Sequence, residues 1–298
     1  MFNDIYQNKK VLITGHTGFK GTWLSLWLHS LGARVYGISN NIPSTPSMFE
    51  ALGVSGLMED YREDVRDGKT IKKIIHDIRP DFIFHMAAQA IVSDSYKEPL
   101  DTISTNVIGT ASILDALRDY EYPCRAVMIT SDKCYDNVEW LWGYRENDAI
   151  GGKDPYSASK GAAELVIKTY FHSFFRTGNI HLVSVRAGNV IGGGDWAKDR
   201  LIPDCMRAWS RKEFVAIRSP EATRPWQHVL EPLSGYLRTG QKLFETPGLN
   251  GESFNLGPDA GNNFTVIQLL EEIGKIWNSG AGPDQEMYRI TDHKPFHE

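Results

Sequence analysis

Tyr156 and Lys160 stand four residues apart in DPYSASKGAAEL, so on a helix they share one face. A phenol ordinarily keeps its proton to about pH 10, too tightly to act as a base near neutrality. A neighbouring ammonium favours the phenolate, and so would a cationic cofactor ring. A second pair, Asp132-Lys133, lies in TSDKCYD directly after the apolar run RAVMI, with Ser131 in front of it. An acid beside a base at the end of a buried strand is either a surface ion pair or a proton-transfer pair in a cleft. Ser131, Asp132, Lys133, Tyr156 and Lys160 are the candidate catalytic set.

Such chemistry needs elements that bring these residues together. Strand-like runs KVLITG, ARVYGI, DFIFHMAA, RAVMITS and IHLVSVRA alternate with the amphipathic segments GTWLSLWLHSLG, DTISTNVIGTASILDALRDY and SASKGAAELVIKTYFHSFF. Apolar strands separated by helices imply a parallel sheet covered on both faces. The expected fold is α/β, a Rossmann-type doubly wound sheet. VLITGHTGFKGTW sets Gly15, Gly18 and Gly21 between the first strand and the first helix, where a dinucleotide pyrophosphate needs a tight turn and an open helix N-terminus. Gly15, His16, Thr17, Gly18, Phe19, Lys20 and Gly21 are therefore candidate cofactor residues. Ser39 and Asn40 follow the second strand, at the expected ribose position. No carboxylate stands there and no arginine follows to attract a 2′-phosphate, so NAD is preferred over NADP. Asp64 and Val65 follow a short strand toward the adenine. Ala87, Ala88 and Gln89 end the next strand near the middle of the cofactor, and Asn106 completes the candidate set.

After Arg186 the pattern changes to a glycine-rich, then charged stretch, AGNVIGGGDWAKDRLIPD. Residues 1–186 are read as the dinucleotide-binding domain and 187–298 as a smaller substrate lobe, with a segment near 226–249 packing back on the first. A diphosphate substrate needs cations. Lys198 and Arg200 in GGGDWAKDR and Arg224 in TRPWQH are the candidates. The 298 residues carry a net charge of −5 and no basic run, which argues against a nucleic-acid partner. Three cysteines without a C-x-x-C pair read as buried thiols, and the histidines show no ligand spacing, so no metal is expected. A polar N-terminus and the lack of a long apolar run suggest a cytoplasmic protein with no membrane contact.

The Ser131, Tyr156 and Lys160 set on a glycine-turn sheet resembles the short-chain dehydrogenase/reductase superfamily. The length and second lobe resemble its extended branch, which acts mainly on nucleotide sugars. Epimerases of that branch carry small neutral residues after the strand-end serine, whereas 4,6-dehydratases carry an acid and a base, typically Asp-Glu. Asp132-Lys133 resembles the form found in dehydratases of CDP-glucose, as do FHMAAQ, WGYRENDAIGGKDPYSASKG, SVRAGNVIGGGDWAKDRLIPD and RPWQHVLEPLSGYL.

That resemblance implies NAD as cofactor, CDP-glucose as substrate, and a hydride removed from C4 and returned to C6 after water is lost across C5–C6, in deoxysugar biosynthesis. It assigns Tyr156 the 4-hydroxyl proton and Asp132 the departing 6-hydroxyl. It adds Asn189 as a sugar-diphosphate ligand and a homodimer built on helices near 102–120 and 157–174. Lys133 is left with two roles, base for the C5 proton or protonated stabiliser of the enolate. The first needs a pKa depression of roughly three units, about 4 kcal/mol. The rival readings are a 4-epimerase and a non-catalytic scaffold. Ala90 and Ser93 stand where the resemblance leads one to expect proline and arginine, which should alter contacts near the cofactor. Members continue some tens of residues beyond a segment like DHKPFHE, so a truncated second lobe is expected.

Overall fold

The computed structural model describes residues 1–259, 261, 264–278 and 287–291. Seven strands form one sheet: β1 (Lys10–Thr14), β2 (Arg34–Ile38), β3 (Glu59–Tyr61), β4 (Phe82–His85), β5 (Cys124–Ile129), β6 (Ile180–Ala187) and β7 (Ser253–Leu256), ordered 7-6-5-4-1-2-3. Every pairing between neighbours is parallel, with Val11 opposite Val35 and Phe82, and Ile83 opposite Ala126. The order reverses between β1 and β4. Outside the carboxyl ends of strands at such a reversal lies the crevice in which a doubly wound sheet takes its ligand.

Two apolar layers cover the sheet. On one face Ile71, Ile74, Ile75 and Ile78 of α2 (Gly68–Ile78) pack with Ile113, Leu114 and Leu117 of α3 (Gly109–Arg118) over Leu12, Ile83, Ala126 and Leu182. The other face takes Leu24 and Leu28 of α1 (Phe19–Ser30), with Val11, Ile13, Phe82, Phe84 and Val127 beneath them. This division is the strand alternation made physical: successive side chains point to opposite faces, and both are apolar.

Beyond β6 the chain leaves the sheet and returns. A second core gathers Cys205 and Trp209 of a helix at Leu201–Ser210, Val215 and Ile217 of a short strand, and Leu270 of the helix Val266–Asn278. The helix Leu230–Glu245 packs back on the sheet through Leu233, Tyr236, Leu237 and Leu243, all fully buried, with Val229 just before it. At roughly 1.5–3 kcal/mol per buried apolar side chain, that face holds the return segment firmly. β7 lies beyond residue 249, inside the stretch assigned from sequence to the lobe, yet it extends the sheet by pairing with β6. The final DHKPFHE lies outside the described residues. Cys124, Cys134 and Cys205 are buried and unpaired. Among the described residues no helix is long and apolar enough to cross a membrane.

Candidate active site

The glycine turn follows β1. The Gly15 amide donates to the Ile38 carbonyl (2.8 Å), tying the end of β1 to the end of β2, and Gly15 holds φ +76°. A Cβ on Gly21 would lie 2.1 Å from the Gly15 carbonyl oxygen, so α1 can approach the turn this closely only with glycine there. Gly18 caps α1 without any side-chain bond, leaving the first amides of the helix free for an anion. A Cβ built on Gly18 meets nothing but the Gly15 oxygen at 3.4 Å, so open space lies over the turn. Free amides facing an open cradle fit a dinucleotide pyrophosphate.

Several cofactor candidates turn out to hold the turn in place. His16 is buried with Nε2 2.9 Å from Asp60 Oδ1 and Nδ1 3.1 Å from Ser39 Oγ, which commits Ser39 as well. Burial lowers the His16 pKa, against the pull of Asp60. The Thr17 hydroxyl donates to the Asn41 carbonyl (2.7 Å). The Ala87 amide donates to Thr14 Oγ1 (3.1 Å), tying the residues after β4 to the end of β1. Asn106 takes the Gln89 amide (2.8 Å) and donates to the Gln89 carbonyl and to Ser159 Oγ, pinning the Ala88-Gln89 loop to the neighbouring helix. Val65 is buried against the backbone at Gly109. Phe19 packs into the α1 layer.

Asn40 is exposed and donates weakly to Asp64 (3.4 Å), whose carboxylate Arg66 grips at 2.6 Å and holds below its ordinary pKa. Arg62 and Arg66 thus come near the ribose end through β3, which the sequence order around β2 does not reveal. Each already carries a carboxylate partner, Asp60 for Arg62 and Asp64 with Asp101 for Arg66. That leaves the cofactor preference for NAD standing.

Ser131 caps a single turn, Asp132–Cys134, that ends β5. Its Oγ accepts the Lys133 amide (3.2 Å) and donates to Asp132 Oδ1 (3.0 Å). Asp132 makes no salt bridge with Lys133, so the adjacent charges are not a surface ion pair. Burial raises the Asp132 pKa, opposed by the Ser131 hydrogen bond, Lys133 and Arg224, which favours a protonated carboxyl able to give its proton.

Tyr156 and Lys160 sit in the first turns of α4 (Pro155–Tyr170), whose start is set by Pro155 and by Asp154 accepting the Ser157 amide (2.9 Å). The nearby Ser131 hydroxyl favours ionisation of Tyr156, but burial dominates and pushes its phenol up to about 12. This corrects the expectation from spacing: the helix neighbour Lys160 is not what governs the phenol, and the nearby Asp132 opposes its ionisation further. Burial and the charge of Lys20 lower Lys160 to about 8, while Glu164 pulls the other way. His85, at the end of β4, lies between Thr14 (2.8 Å) and Thr110 (3.1 Å), and burial drives it to about 3, a neutral ring.

Of the substrate candidates, Arg200 and Arg224 act electrostatically on the catalytic turn, Arg200 on Tyr156 and Arg224 on Asp132. Arg200 also pairs with Asp195 (3.0 Å), and Arg224 donates to the Thr223 carbonyl (2.8 Å). Lys198 instead reaches away to Asp94 (2.9 Å). Beside it Ser93, where arginine was expected, donates to Asp199 (2.6 Å), so the departure at Ser93 fastens the Lys198-Asp199 loop to the helix Val92–Lys97. Asn189 is exposed, its carbonyl accepting the Gln227 amide (3.3 Å).

Sequence reasoning missed a buried network behind the catalytic turn. Glu164, one turn beyond Lys160, accepts from Thr130, from Ser184 (2.9 Å) and from Arg186 (2.8 Å); Arg186 also donates to Tyr135 (2.7 Å). The i, i+4, i+8 series Tyr156, Lys160, Glu164 was the available signal. Tyr236, which accepts from Lys20 at 3.2 Å, was also missed.

A glycine turn on a parallel seven-stranded sheet, with Ser131, Tyr156 and Lys160 over its carboxyl edge, defines a dinucleotide-dependent short-chain dehydrogenase/reductase of the extended type. The family model described as GDP-mannose 4,6 dehydratase matches residues 12–267. A CDP-glucose 4,6-dehydratase of Salmonella typhimurium is 48% identical over 93% of this chain and 79% of its own length. Among solved structures, UDP-glucose 4-epimerase of Thermotoga maritima with UDP-glucose superimposes with a TM-score of 0.79 at 22% identity, covering 96% of this chain and 86% of that one. A dTDP-glucose 4,6-dehydratase of Streptomyces venezuelae with NAD bound gives 0.77 at 21% identity, covering 95% and 84%. The chain belongs to the GDP-mannose 4,6 dehydratase family.

Proposed function

We propose that this chain converts CDP-glucose to CDP-4-keto-6-deoxyglucose and water, with NAD held on the glycine turn. The observation that carries the reading is Asp132, whose carboxyl accepts from Ser131 at 3.0 Å at the end of β5 and whose pKa burial raises. A 4-epimerase expels no water and has no use for it. The 48% identity to a CDP-glucose 4,6-dehydratase supports both the reaction and the nucleotide.

NAD, when bound on the glycine turn, would supply the hydride acceptor for C4 and the hydride donor for C6. The chain does the rest. Tyr156 removes the 4-hydroxyl proton, with Ser131 holding the oxygen in line. Burial pushes the phenol up to about 12, and a cationic nicotinamide ring beside it would supply charge that offsets this burial. The C4 ketone acidifies C5–H, and Lys133 serves there either as the base that takes the proton and later returns it to C5 or as the ammonium that stabilises the enolate. Asp132 protonates the 6-hydroxyl, which leaves as water. Arg200 and Arg224 receive the diphosphate, with Asn189 at its sugar side. Exposed Ile103, Ile108, Leu165 and Phe174, on the two helical segments expected to pair, support a homodimer. Reduced cysteines and a nucleotide-sugar substrate support a cytoplasmic setting.

The test is CDP-glucose carrying deuterium at C4. The reading expects deuterium at C6 of a 4-keto product; CDP-galactose would make the chain an epimerase, and unchanged substrate a scaffold.

A further inference from the structure

Lys20 lies in the first turn of α1, inside the glycine turn, yet its side chain runs toward the chemistry. Its ammonium donates to the hydroxyl of the fully buried Tyr236 (3.2 Å) and lies 5.6 Å from the centre of that ring. No described carboxylate pairs with it within salt-bridge distance. The charged and titratable groups around it come from four directions: Lys160 on α4, Arg200 before the helix Leu201–Ser210, Asp132 at the end of β5, and Tyr236 on the return helix. Of these only Asp132 can be anionic, and burial shifts it toward its neutral form. Arg200 has Asp195 as its partner and Lys160 is drawn on by Glu164, which leaves Lys20 as the cation of this group with no carboxylate within salt-bridge distance among the described residues. A partly buried cation held by a hydroxyl and a ring with no anionic partner costs stability, so a site that keeps one has a use for the charge.

We propose that Lys20 sets the redox preference of the site, holding the reduced nicotinamide more tightly than the oxidised one. This rests on the reading that the cleft takes NAD. The ring is cationic when oxidised and neutral when reduced, so a fixed cation among Lys160, Asp132 and Tyr236 opposes the oxidised form alone. A reaction that removes a hydride and must return it to the same sugar gains from this bias, because the oxidised substrate and the reduced cofactor persist together until elimination is complete. A lysine serving only the pyrophosphate would treat both redox states alike.

The test is calorimetric titration of the cofactor-free full chain with NAD⁺ and with NADH, separately, for the native protein, Lys20→Met and Lys20→Arg. Lys20→Met should tighten NAD⁺ and leave NADH unchanged, so that the ratio of the NAD⁺ to the NADH dissociation constant falls roughly tenfold, equivalent to about 1.4 kcal/mol. Lys20→Arg should keep the native ratio. Removing an uncompensated charge should also raise the melting temperature of the cofactor-free Lys20→Met protein. Equal weakening of both cofactors, or a Lys20→Met protein less stable than native, overturns the inference. If the native chain binds neither cofactor, the NAD reading itself fails.

Discussion

Glu164→Gln is the substitution whose cost can be worked most fully from the structure. The Glu164 carboxylate and the Arg186 guanidinium are each 4% exposed, 2.8 Å apart, with Thr130 and Ser184 occupying the remaining carboxylate positions. Removing one partner leaves the other charge buried without compensation, which costs about 3–5 kcal/mol. The entropy of unfolding at about 2.1 cal/mol/K per residue comes to roughly 0.6 kcal/mol/K for 298 residues. The melting temperature should therefore fall by roughly 5–8 °C, read by calorimetry. Taking out both charges together, as Glu164→Met with Arg186→Met, should recover most of the loss, since no ion is then stranded. The same carboxylate supports the charge on Lys160, so Glu164→Gln should also lower the Lys160 pKa. A single variant within about 1 kcal/mol of native, or a double variant no better than the single one, would refute the reasoning.

Two further outcomes follow from the site. His85 is neutral in the fold because burial lowers it to about 3, against about 6.5 when unfolded. Its contribution is complete above pH 6.5 and is lost as pH falls toward 3, about 2 kcal/mol by pH 5, and denaturant titrations of His85→Gln should show a flatter dependence over that window. Gly21→Ala drives a Cβ to 2.1 Å from the Gly15 oxygen, so the turn must open. Cofactor binding measured by fluorescence titration should weaken at least a hundredfold, roughly 2.7 kcal/mol.

Much of this was legible in order along the chain. Runs such as KVLITG and IHLVSVRA are strands because both their faces are buried, and Tyr156 and Lys160 share a face because one helical turn separates them. What escaped depended on contacts across the sheet. SFNL, the strand Ser253–Leu256, is half-buried throughout and carries little apolar signal; only pairing with β6 makes it a strand. The phenol of Tyr156 was expected to respond to Lys160, but desolvation is set by everything packed around it and was not visible in the spacing. Lys198 was a candidate for the diphosphate in GGGDWAKDR because its ion-pair partner, Asp94, is about a hundred residues away in the chain and could not be read there. The arginines near the ribose end came from β3, a neighbour in space and not in sequence.

The central claim is that Asp132 makes this site a dehydratase. Single-turnover reaction of Asp132→Asn with CDP-glucose tests it most directly, following nicotinamide absorbance and product together. The account predicts that C4 oxidation proceeds and reduced cofactor accumulates, while 4-keto-6-deoxy product forms about 10²–10⁴-fold more slowly. Product formation within tenfold of the native rate would contradict it.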